Sequence, residues 1–172
     1  MISSLHLAPL LSLGLTVVVM LTGILPSPLL QVADADELPL PRFVSLKSAE
    51  VNLRSGPGFR YPIEWEYQRR GLPVEITAEF DNWRRVRDVE GTAGWIHRAL
   101  LSGKRSALVL PPERVFRSAP EENAAALFRA APGVMVYLLS CDGSWCYTEH
   151  GETKAWVGQK ELWGVYPDEV IE

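Results

Sequence analysis

The sequence of 172 residues has only two cysteines and three histidines, and it has no surplus of basic residues. Two cysteines are too few for a disulfide-dense mini-protein or for a zinc site with four cysteine ligands. The formal net charge of −4 gives no whole-chain argument for nucleic-acid binding. Because 47% of the residues are hydrophobic, an intrinsically disordered chain is excluded. One ordinary domain or two very small ones remain.

The apolar residues are concentrated at the start of the chain. Residues 7–30 carry no charge, Pro26 and Pro28 interrupt any helix there, and Ala33 and Ala35 have the spacing that a signal peptidase reads. We therefore expect residues 1–35 to be a signal peptide cleaved after Ala35. The alternative is a retained anchor helix over residues 7–30, because 24 uncharged residues at about 1.5 Å each can span a bilayer. Residues 36–172 would then be periplasmic or exported, or held outside the cytoplasm by the inner membrane.

Three motifs occur twice in the remaining chain. Residues 51–57 resemble 114–120, residues 80–83 resemble 142–145, and residues 91–96 resemble 151–157. The offsets from Arg54, Trp83 and Trp95 to their counterparts are 63, 62 and 61 residues. This nearly constant offset predicts two copies of one unit. We place the copies at residues 42–103 and 107–167.

Each copy has the pattern of short β-strands. Ile63, Trp65 and Tyr67 alternate with polar residues, and Asp81-Asn82 forms a turn signal between two partly alternating runs. Long amphipathic helices are absent, so the expected fold class is all-β, with each copy a small barrel. The apolar stretch 107–110 between the copies predicts a strand or packing between the lobes.

The motifs of the first copy resemble those of a known family. Residues 52–58 read Asn-Leu-Arg-Ser-Gly-Pro-Gly, and Trp83 and the Gly-x-x-Gly-Trp-Ile of residues 91–96 follow. This pattern is similar to that of bacterial SH3 (SH3b) domains. The Cys-Asp-Gly-Ser-Trp-Cys of residues 141–146 and the Leu-Trp-Gly-Val of residues 162–165 extend the resemblance to tandem-SH3 exported proteins of alphaproteobacteria.

The resemblance implies two tandem SH3-like small barrels, behind the signal or anchor helix, that bind peptides rather than catalyse a reaction. In relatives of this kind the ligands are cell-wall peptides or other peptides. The second copy departs from the pattern, because Ala119 stands before the proline and Ala155 before the tryptophan, where the family has glycine. We therefore expect the first copy to carry the ligand groove and the second to be a structural lobe.

The candidate ligand-binding residues all lie in the first copy. Aromatic side chains offer large contact areas, and Tyr61, Trp65 and Tyr67 are concentrated in the first copy, with Leu127 or Phe128 near the place of Trp65 in the second. An arginine could pair with an anionic group of the ligand, whereas the recurring tryptophans fit core packing as well as ligand stacking. The candidates are Tyr61, Trp65, Arg54, Arg84, Trp83 and Trp95.

Cys141 and Cys146 flank a four-residue loop, and facing residues of a hairpin are close enough for a disulfide. A metal site or a catalytic pair of Cys146 with His150 are the alternatives to that disulfide. Neither a phosphate-binding loop nor a metal-ligand spacing is found, so we expect no cofactor, no metal and no enzyme activity. The predicted function is binding or scaffolding at the cell envelope. The expected partner is peptidoglycan or an envelope protein or peptide, with an adaptor for a wall-remodelling enzyme as the alternative and a small cell-wall hydrolase as the least favoured.

Charge divides the two copies. Residues 42–106 contain 12 basic and 8 acidic residues, whereas residues 107–172 contain 5 and 10. The first copy is therefore basic by 4 charges and the second acidic by 5. Three interpretations follow: an anionic partner for the first copy, docking of the basic copy against the acidic one, or two solvated surfaces.

Overall fold

The structure is a computed structural model that describes residues 38–172, and these residues form two antiparallel sheets with almost no helix. The all-β class predicted from the alternating pattern is confirmed. The first sheet has the order β3-β2-β6-β5-β4-β1-β7. Its strands are β1 (Arg42–Leu46), β2 (Val51–Arg54), β3 (Ile63–Tyr67), β4 (Pro73–Phe80), β5 (Trp83–Arg87), β6 (Ala93–His97) and β7 (Leu101–Ser102).

The second sheet repeats this order strand for strand, as β10-β9-β13-β12-β11-β8-β14, with β15 paired to β11. Its strands are β8 (Ser106–Val109), β9 (Arg114–Arg117), β10 (Ala126–Ala130), β11 (Met135–Asp142), β12 (Trp145–His150), β13 (Thr153–Gly158), β14 (Leu162–Trp163) and β15 (Val170–Ile171). Each sheet has a 3₁₀ turn after the equivalent strand: Arg98–Leu100 follows β6, and Gln159–Glu161 follows β13. We call residues 42–102 the first lobe and residues 106–171 the second lobe.

Each lobe buries its own apolar core through strand alternation. On β2, Val51 and Leu53 are buried, while Asn52 and Arg54 between them stay partly exposed. Phe116 takes the place of Leu53 in the second lobe and is fully buried. The hairpin predicted at Asp81-Asn82 joins β4 to β5, and the apolar stretch after residue 106 forms β8 as expected.

The predicted disulfide between Cys141 and Cys146 is present. The two residues face each other across the β11–β12 hairpin, with their Cα atoms 4.1 Å apart. Both are buried in the core of the second lobe. The predicted leader, residues 1–35, lies outside the described residues. In the described part, residues 38–172, no helix has the length and hydropathy needed to cross a membrane.

A seam of aromatic rings and buried hydrogen bonds joins the two lobes. Phe43 of β1 is buried, with its ring centroid 5.0 Å from that of Trp163 and 4.7 Å from that of Tyr166. The Tyr166 hydroxyl donates to Oε1 of the buried Glu75 at 2.9 Å, and Arg87 Nε donates to Glu75 Oε2 at 3.0 Å. Burial raises the pKa of the Tyr166 hydroxyl, and the hydrogen bond to Glu75 raises it further. The carboxylate of Glu75 is thus satisfied from both lobes.

The seam continues at the start of β8. The hydroxyl of Ser106 donates to the carbonyl of Gly71 at 2.6 Å, and the Lys104 ammonium lies 3.7 Å from the centre of the Tyr137 ring. Gly71 has a φ of +79°, and a Cβ there would lie 2.8 Å from the Tyr137 hydroxyl, so the position requires glycine. The ion pair of Arg105 with Glu169 joins a residue counted in the basic copy to one counted in the acidic copy, whereas the other ion pairs among the described residues stay within one copy. Opposite charges therefore contribute one direct contact, alongside the aromatic rings and hydrogen bonds of the seam.

An arginine clamp holds the segment that carries Tyr166. Arg105 donates to Oε1 of Glu169 at 2.6 Å and to Oε2 at 3.1 Å, and it also donates to the carbonyl of Gly164. The backbone N–H of Tyr166 donates to the same Glu169 carboxylate at 2.8 Å. Burial works against ionisation of Glu169, but these bonds outweigh it and lower the pKa of its carboxyl group.

Because of this clamp, we expect the stability of the protein to fall in acid, and we expect the variant Glu169→Gln to reduce that fall. Because the folded-state pKa of Glu169 is lowered, its stabilising contribution is present above the unfolded-state pKa and is lost as the pH falls through the folded-state value. We expect Glu169→Gln to unfold at lower urea concentration at pH 7 and to lose less stability than wild type between pH 7 and pH 3. Glu152→Gln, at an exposed carboxylate, is the control. An equal loss in Glu169→Gln and wild type would contradict the prediction.

Candidate functional site

The loop between β2 and β3, residues 55–62, is held by the guanidinium of Arg54. Arg54 donates to the carbonyl of Tyr61 at 2.7 Å and to that of Phe59 at 3.2 Å. The ring of Tyr61 lies against Gly56, where a Cβ would be 2.5 Å from the ring. Arg60 in turn places its guanidinium 5.0 Å from the centre of the Tyr61 ring. Arg54 and Tyr61, both candidates from the sequence, thus build the loop itself.

This loop places an exposed ring over one of the predicted tryptophans. Phe59 is 74% exposed, and its ring centroid lies 5.0 Å from Trp83 and 5.7 Å from His97. Trp83 and His97 contact each other edge to face at 5.4 Å. Trp83 is therefore buried under Phe59 and has little surface left for a ligand. Phe59 and His97 were not among the sequence candidates, because only the folded loop brings these two rings against Trp83.

Two further candidates are held by the sheet. Nε of Arg84 lies 3.0 Å from the Glu79 carboxylate, and Nη1 of Arg84 donates to the backbone carbonyls of Asp81 and Trp83. Its guanidinium thus stabilises the β4–β5 hairpin. Trp95 is half-buried on β6, opposite Arg54 on one side and Arg85 on the other.

Trp65 lines a different feature, a cleft of about 310 Å³ at the seam, which we call the seam cleft. Trp65 is 55% exposed on β3, and Val89 on the opposite rim is also exposed. Leu108 and Gly133 close the cleft from the second lobe. None of the other five candidate residues lines it. The structure therefore does not bring Tyr61 and Trp65 into one site.

The polar groups of the seam cleft are anchored. The Tyr67 hydroxyl donates to Oδ2 of Asp88 at 2.9 Å, and burial followed by this bond raises the pKa of Tyr67. Oδ1 of Asp88 accepts from the backbone N–H groups of Glu90 and Thr92. Arg69 donates to the carbonyl of Gly133 at 3.2 Å and thereby links the two walls. The cleft combines an exposed aromatic ring with one cation and two carboxylates.

The family model described as the bacterial SH3 domain matches residues 47–103 and 111–164. The chain belongs to the bacterial SH3 domain family. The resemblance read from the motifs is confirmed in both copies, and the two lobes are its first and second SH3 domains. No curated protein matches this tandem SH3 protein.

Two solved structures are similar to this tandem SH3 protein. One is NlpC2 from Trichomonas vaginalis, at 12% identity and a TM-score of 0.34, covering 74% of this chain and 49% of that chain. The other is an NLPC/P60 family protein from Bacillus cereus ATCC 10987, at 13% identity and a TM-score of 0.33, covering 70% and 55%. The tandem SH3 protein thus spans about half the length of these structures.

The counterpart of Trp65 in the second SH3 domain is Phe128. Trp65 pairs with Leu53 across β3 and β2, and Phe128 pairs with Phe116 at the equivalent place. The rings of Phe128 and Phe116 stack with their centroids 4.5 Å apart and their planes 11° from parallel. Phe128 is therefore partly buried against its own core, whereas Trp65 faces solvent. The exposed tryptophan is a property of the first SH3 domain.

The two SH3 domains form the same loop despite the departure at Ala119. Arg117 donates to the carbonyl of Ala124 at 3.0 Å, as Arg54 does to that of Tyr61. The backbone bonds from Ser118 to Ala125 and from Ala124 to Glu121 also repeat those of the first loop. Ala119 has room because Ala124 replaces the tyrosine ring, so the departure does not distort the loop.

This exchange predicts a paired mutational effect. Gly56→Ala drives a methyl group into the Tyr61 ring, and such overpacking costs roughly 1 to 2 kcal/mol of unfolding free energy. The double variant Gly56→Ala/Tyr61→Ala reproduces the pair found in the second domain, so we expect it to be more stable than the sum of the two single changes. Urea unfolding of all four proteins measures the coupling. Simple additivity would show that the ring does not exclude the methyl group.

Proposed function

We propose that this tandem SH3 protein is a non-catalytic binding or scaffolding module of the cell envelope that recognises peptidoglycan stem peptides or another envelope peptide. In this proposal each sheet is the small barrel of an SH3 domain. The observation that supports it best is the seam cleft, where Trp65 presents a 55% exposed indole. Large exposed aromatics in a concave site are the usual anchors of ligand recognition.

The chemistry of the seam cleft suits a peptide. Its volume of about 310 Å³ lies at the lower end of ligand sites and accommodates a few residues. Trp65 and Val89 offer contact area to an apolar or aliphatic segment. Arg69 offers charge-assisted hydrogen bonds to a carboxylate, and Asp88 and Glu90 attract an ammonium group. Stem peptides carry all three kinds of group.

The chemistry of the second domain supports a non-catalytic role and an oxidising compartment. Cys146 is fully buried and bonded to Cys141, so it offers no thiolate for nucleophilic attack. Nδ1 of His150 lies 3.0 Å from the carbonyl of Met135. A disulfide persists in oxidising compartments. The disulfide supports our proposal that residues 36–172 function in the periplasm or outside the cell, either after cleavage at Ala35 or anchored in the inner membrane through residues 7–30.

Binding to purified peptidoglycan sacculi tests this function. We expect wild type to sediment with sacculi and Trp65→Ala to bind about tenfold more weakly, because an aromatic anchor contributes roughly 1 to 2 kcal/mol. Phe80→Ala is the matched control: it removes a ring that is 60% exposed and lies outside the seam cleft.

Three outcomes would contradict the proposal. Equal binding by Trp65→Ala and Phe80→Ala would remove the seam cleft as the site. Absence of binding by wild type would exclude the sacculus as partner and favour an adaptor for a wall-remodelling enzyme. Release of soluble fragments from the sacculi would show that the protein is a hydrolase.

A further inference from the structure

The second SH3 domain differs from the first at the place where Phe59 covers Trp83. The loops of residues 55–62 and 118–125 share their hydrogen bonds, so their positions correspond one to one. Glu122 then stands at the position of Phe59, and Trp145 at that of Trp83. Gly158 ends β13 at the position of His97, which ends β6. Two of the three rings of the first domain are therefore absent.

Their absence leaves a cleft of about 520 Å³, which we call the second-domain cleft. Glu122, Trp145 and Gly158 all line it. Trp145 is half-buried, whereas Trp83 is buried at the equivalent place. The volume lies within the range of small-molecule and peptide sites. The domain that the sequence assigns a purely structural role thus contains the larger of these two clefts.

One wall of the second-domain cleft is rigid. It is the tip of the β11–β12 hairpin, which the disulfide closes at its base. Oδ1 of Asp142 accepts from the backbone N–H groups of Ser144 and Trp145, both at 2.8 Å, and these bonds lower the pKa of Asp142. The N–H of Gly143 donates to Oε1 of the buried Gln159 at 3.1 Å. A wall held in one conformation loses little entropy when a ligand binds.

The charged groups of the cleft are only partly used within the protein. Arg114 pairs with Glu161 at 3.1 Å, and Arg117 holds its own loop. Among the described residues, no ion pair within 4.0 Å and no side-chain hydrogen bond engages Lys160, Glu122 or Asp168. One ammonium and two carboxylates therefore stand around the half-buried indole with their charges unpaired. This arrangement complements a ligand that carries a carboxylate and an ammonium group a short distance apart.

We propose that the second SH3 domain has its own ligand site in this cleft, for a zwitterionic peptide segment whose carboxylate pairs with Lys160 and whose ammonium pairs with Glu122 and Asp168. The aliphatic part of the ligand packs on Trp145. The proposal rests on the peptide-binding function proposed above, but it concerns a different site. Two sites on lobes joined by the seam would engage neighbouring peptides of one polymer, which raises the overall affinity without new contacts.

Nuclear magnetic resonance on the full chain, labelled with ¹⁵N, tests the two sites separately. The probe is the tripeptide L-alanyl-γ-D-glutamyl-meso-diaminopimelate, compared with the same tripeptide acetylated on its amines. We expect the free tripeptide to shift the backbone signals of Gly143 and Ser144 and the indole signal of Trp145. Acetylation removes the ammonium groups, so it should weaken these shifts at least fivefold. Movement of the Trp65 indole reports the seam cleft independently.

Two variants localise the effect. Lys160→Ala should weaken binding at the second-domain cleft about fivefold, while Lys154→Ala, at an exposed lysine outside the cleft, should leave it unchanged. Glu122→Phe restores the ring of the first domain at an exposed position and should abolish the shifts at Trp145. Either variant is judged only if its remaining spectrum matches that of wild type.

The outcomes separate this inference from the proposed function. Shifts at the Trp65 indole without shifts at Gly143, Ser144 and Trp145 would overturn the second site and leave the seam cleft standing. Shifts confined to the second-domain cleft would support the second site and remove the seam cleft. Equal effects of Lys160→Ala and Lys154→Ala, or equal binding of the acetylated tripeptide, would overturn the zwitterionic recognition.

Discussion

Replacing Phe43 with alanine is expected to lower the free energy of unfolding by about 3 kcal/mol, because truncating a buried phenylalanine removes its burial and leaves a cavity. The ring of Phe43 lies between Trp163 and Tyr166 of the other domain, at centroid distances of 5.0 and 4.7 Å. Only 7% of its surface is exposed. Most of the packing that the substitution removes therefore lies at the seam rather than in the core of the first domain. Urea unfolding at neutral pH measures it.

The same variant tests whether the two SH3 domains unfold together. Because Phe43 belongs to the first domain and its partners to the second, its loss should lower the unfolding midpoints of both domains. Signals from Trp83 and Trp145, one in each domain, follow the two transitions. Phe80→Ala, at an exposed ring, should change stability by less than about 0.5 kcal/mol. A drop below 1 kcal/mol for Phe43→Ala, or a shift confined to one domain, would show that the seam contributes little.

The sequence predicted those features that depend on neighbouring residues. Alternation of apolar and polar side chains is local, so it identified β3 and the β4–β5 hairpin. The nearly constant offset between the repeated motifs can be measured in the sequence alone. It predicted two copies of one unit, and the strand order of the second sheet does repeat that of the first. The disulfide followed from two cysteines on facing strands of one short hairpin.

The seam between the two lobes could not be predicted from local sequence patterns. Glu75 and Tyr166 are 91 residues apart, and nothing in either neighbourhood shows that one accepts a hydrogen bond from the other. Charge composition suggested docking of the oppositely charged copies, and Arg105 does pair with Glu169. The seam is also formed by aromatic rings and by Glu75, an acid of the basic lobe, which composition could not indicate. Such long-range contacts depend on how two finished sheets pack.

The sequence predicted that an exposed aromatic residue would mark the candidate site, but it did not predict which of the candidate residues lie together. Trp65 is 55% exposed, as a binding residue should be, although its partner across the strands, Leu53, is buried. Tyr61 and Arg54 instead stabilise a loop, through contacts that depend on the loop's full conformation. The second-domain cleft is open because Glu122 and Gly158 stand where the first domain has aromatic rings. The sequence of one copy does not show that a ring is missing, whereas a position-by-position comparison of the two copies does.

Removing the disulfide is the second large effect we expect. Closing a loop of six residues restricts the unfolded chain by about 2 kcal/mol, and the double variant Cys141→Ala/Cys146→Ala also loses packing at two buried positions. We expect its free energy of unfolding to fall by about 2 to 3 kcal/mol, with the greater effect on the second SH3 domain. Alanine is the appropriate replacement because it adds no polar atom to the buried core of the second domain.

The reduced wild type is the matched control for this variant, because it keeps both sulfur atoms and loses only the bond. If restriction of the unfolded chain is the main cause, wild type in reductant should lose about 2 kcal/mol, and the double variant should not respond to reductant at all. A wild-type midpoint that is the same with and without reductant would show that the hairpin is held without the bond. Gly143, Ser144 and Trp145 would then owe their fixed positions to the hydrogen bonds of Asp142 and Gln159 alone.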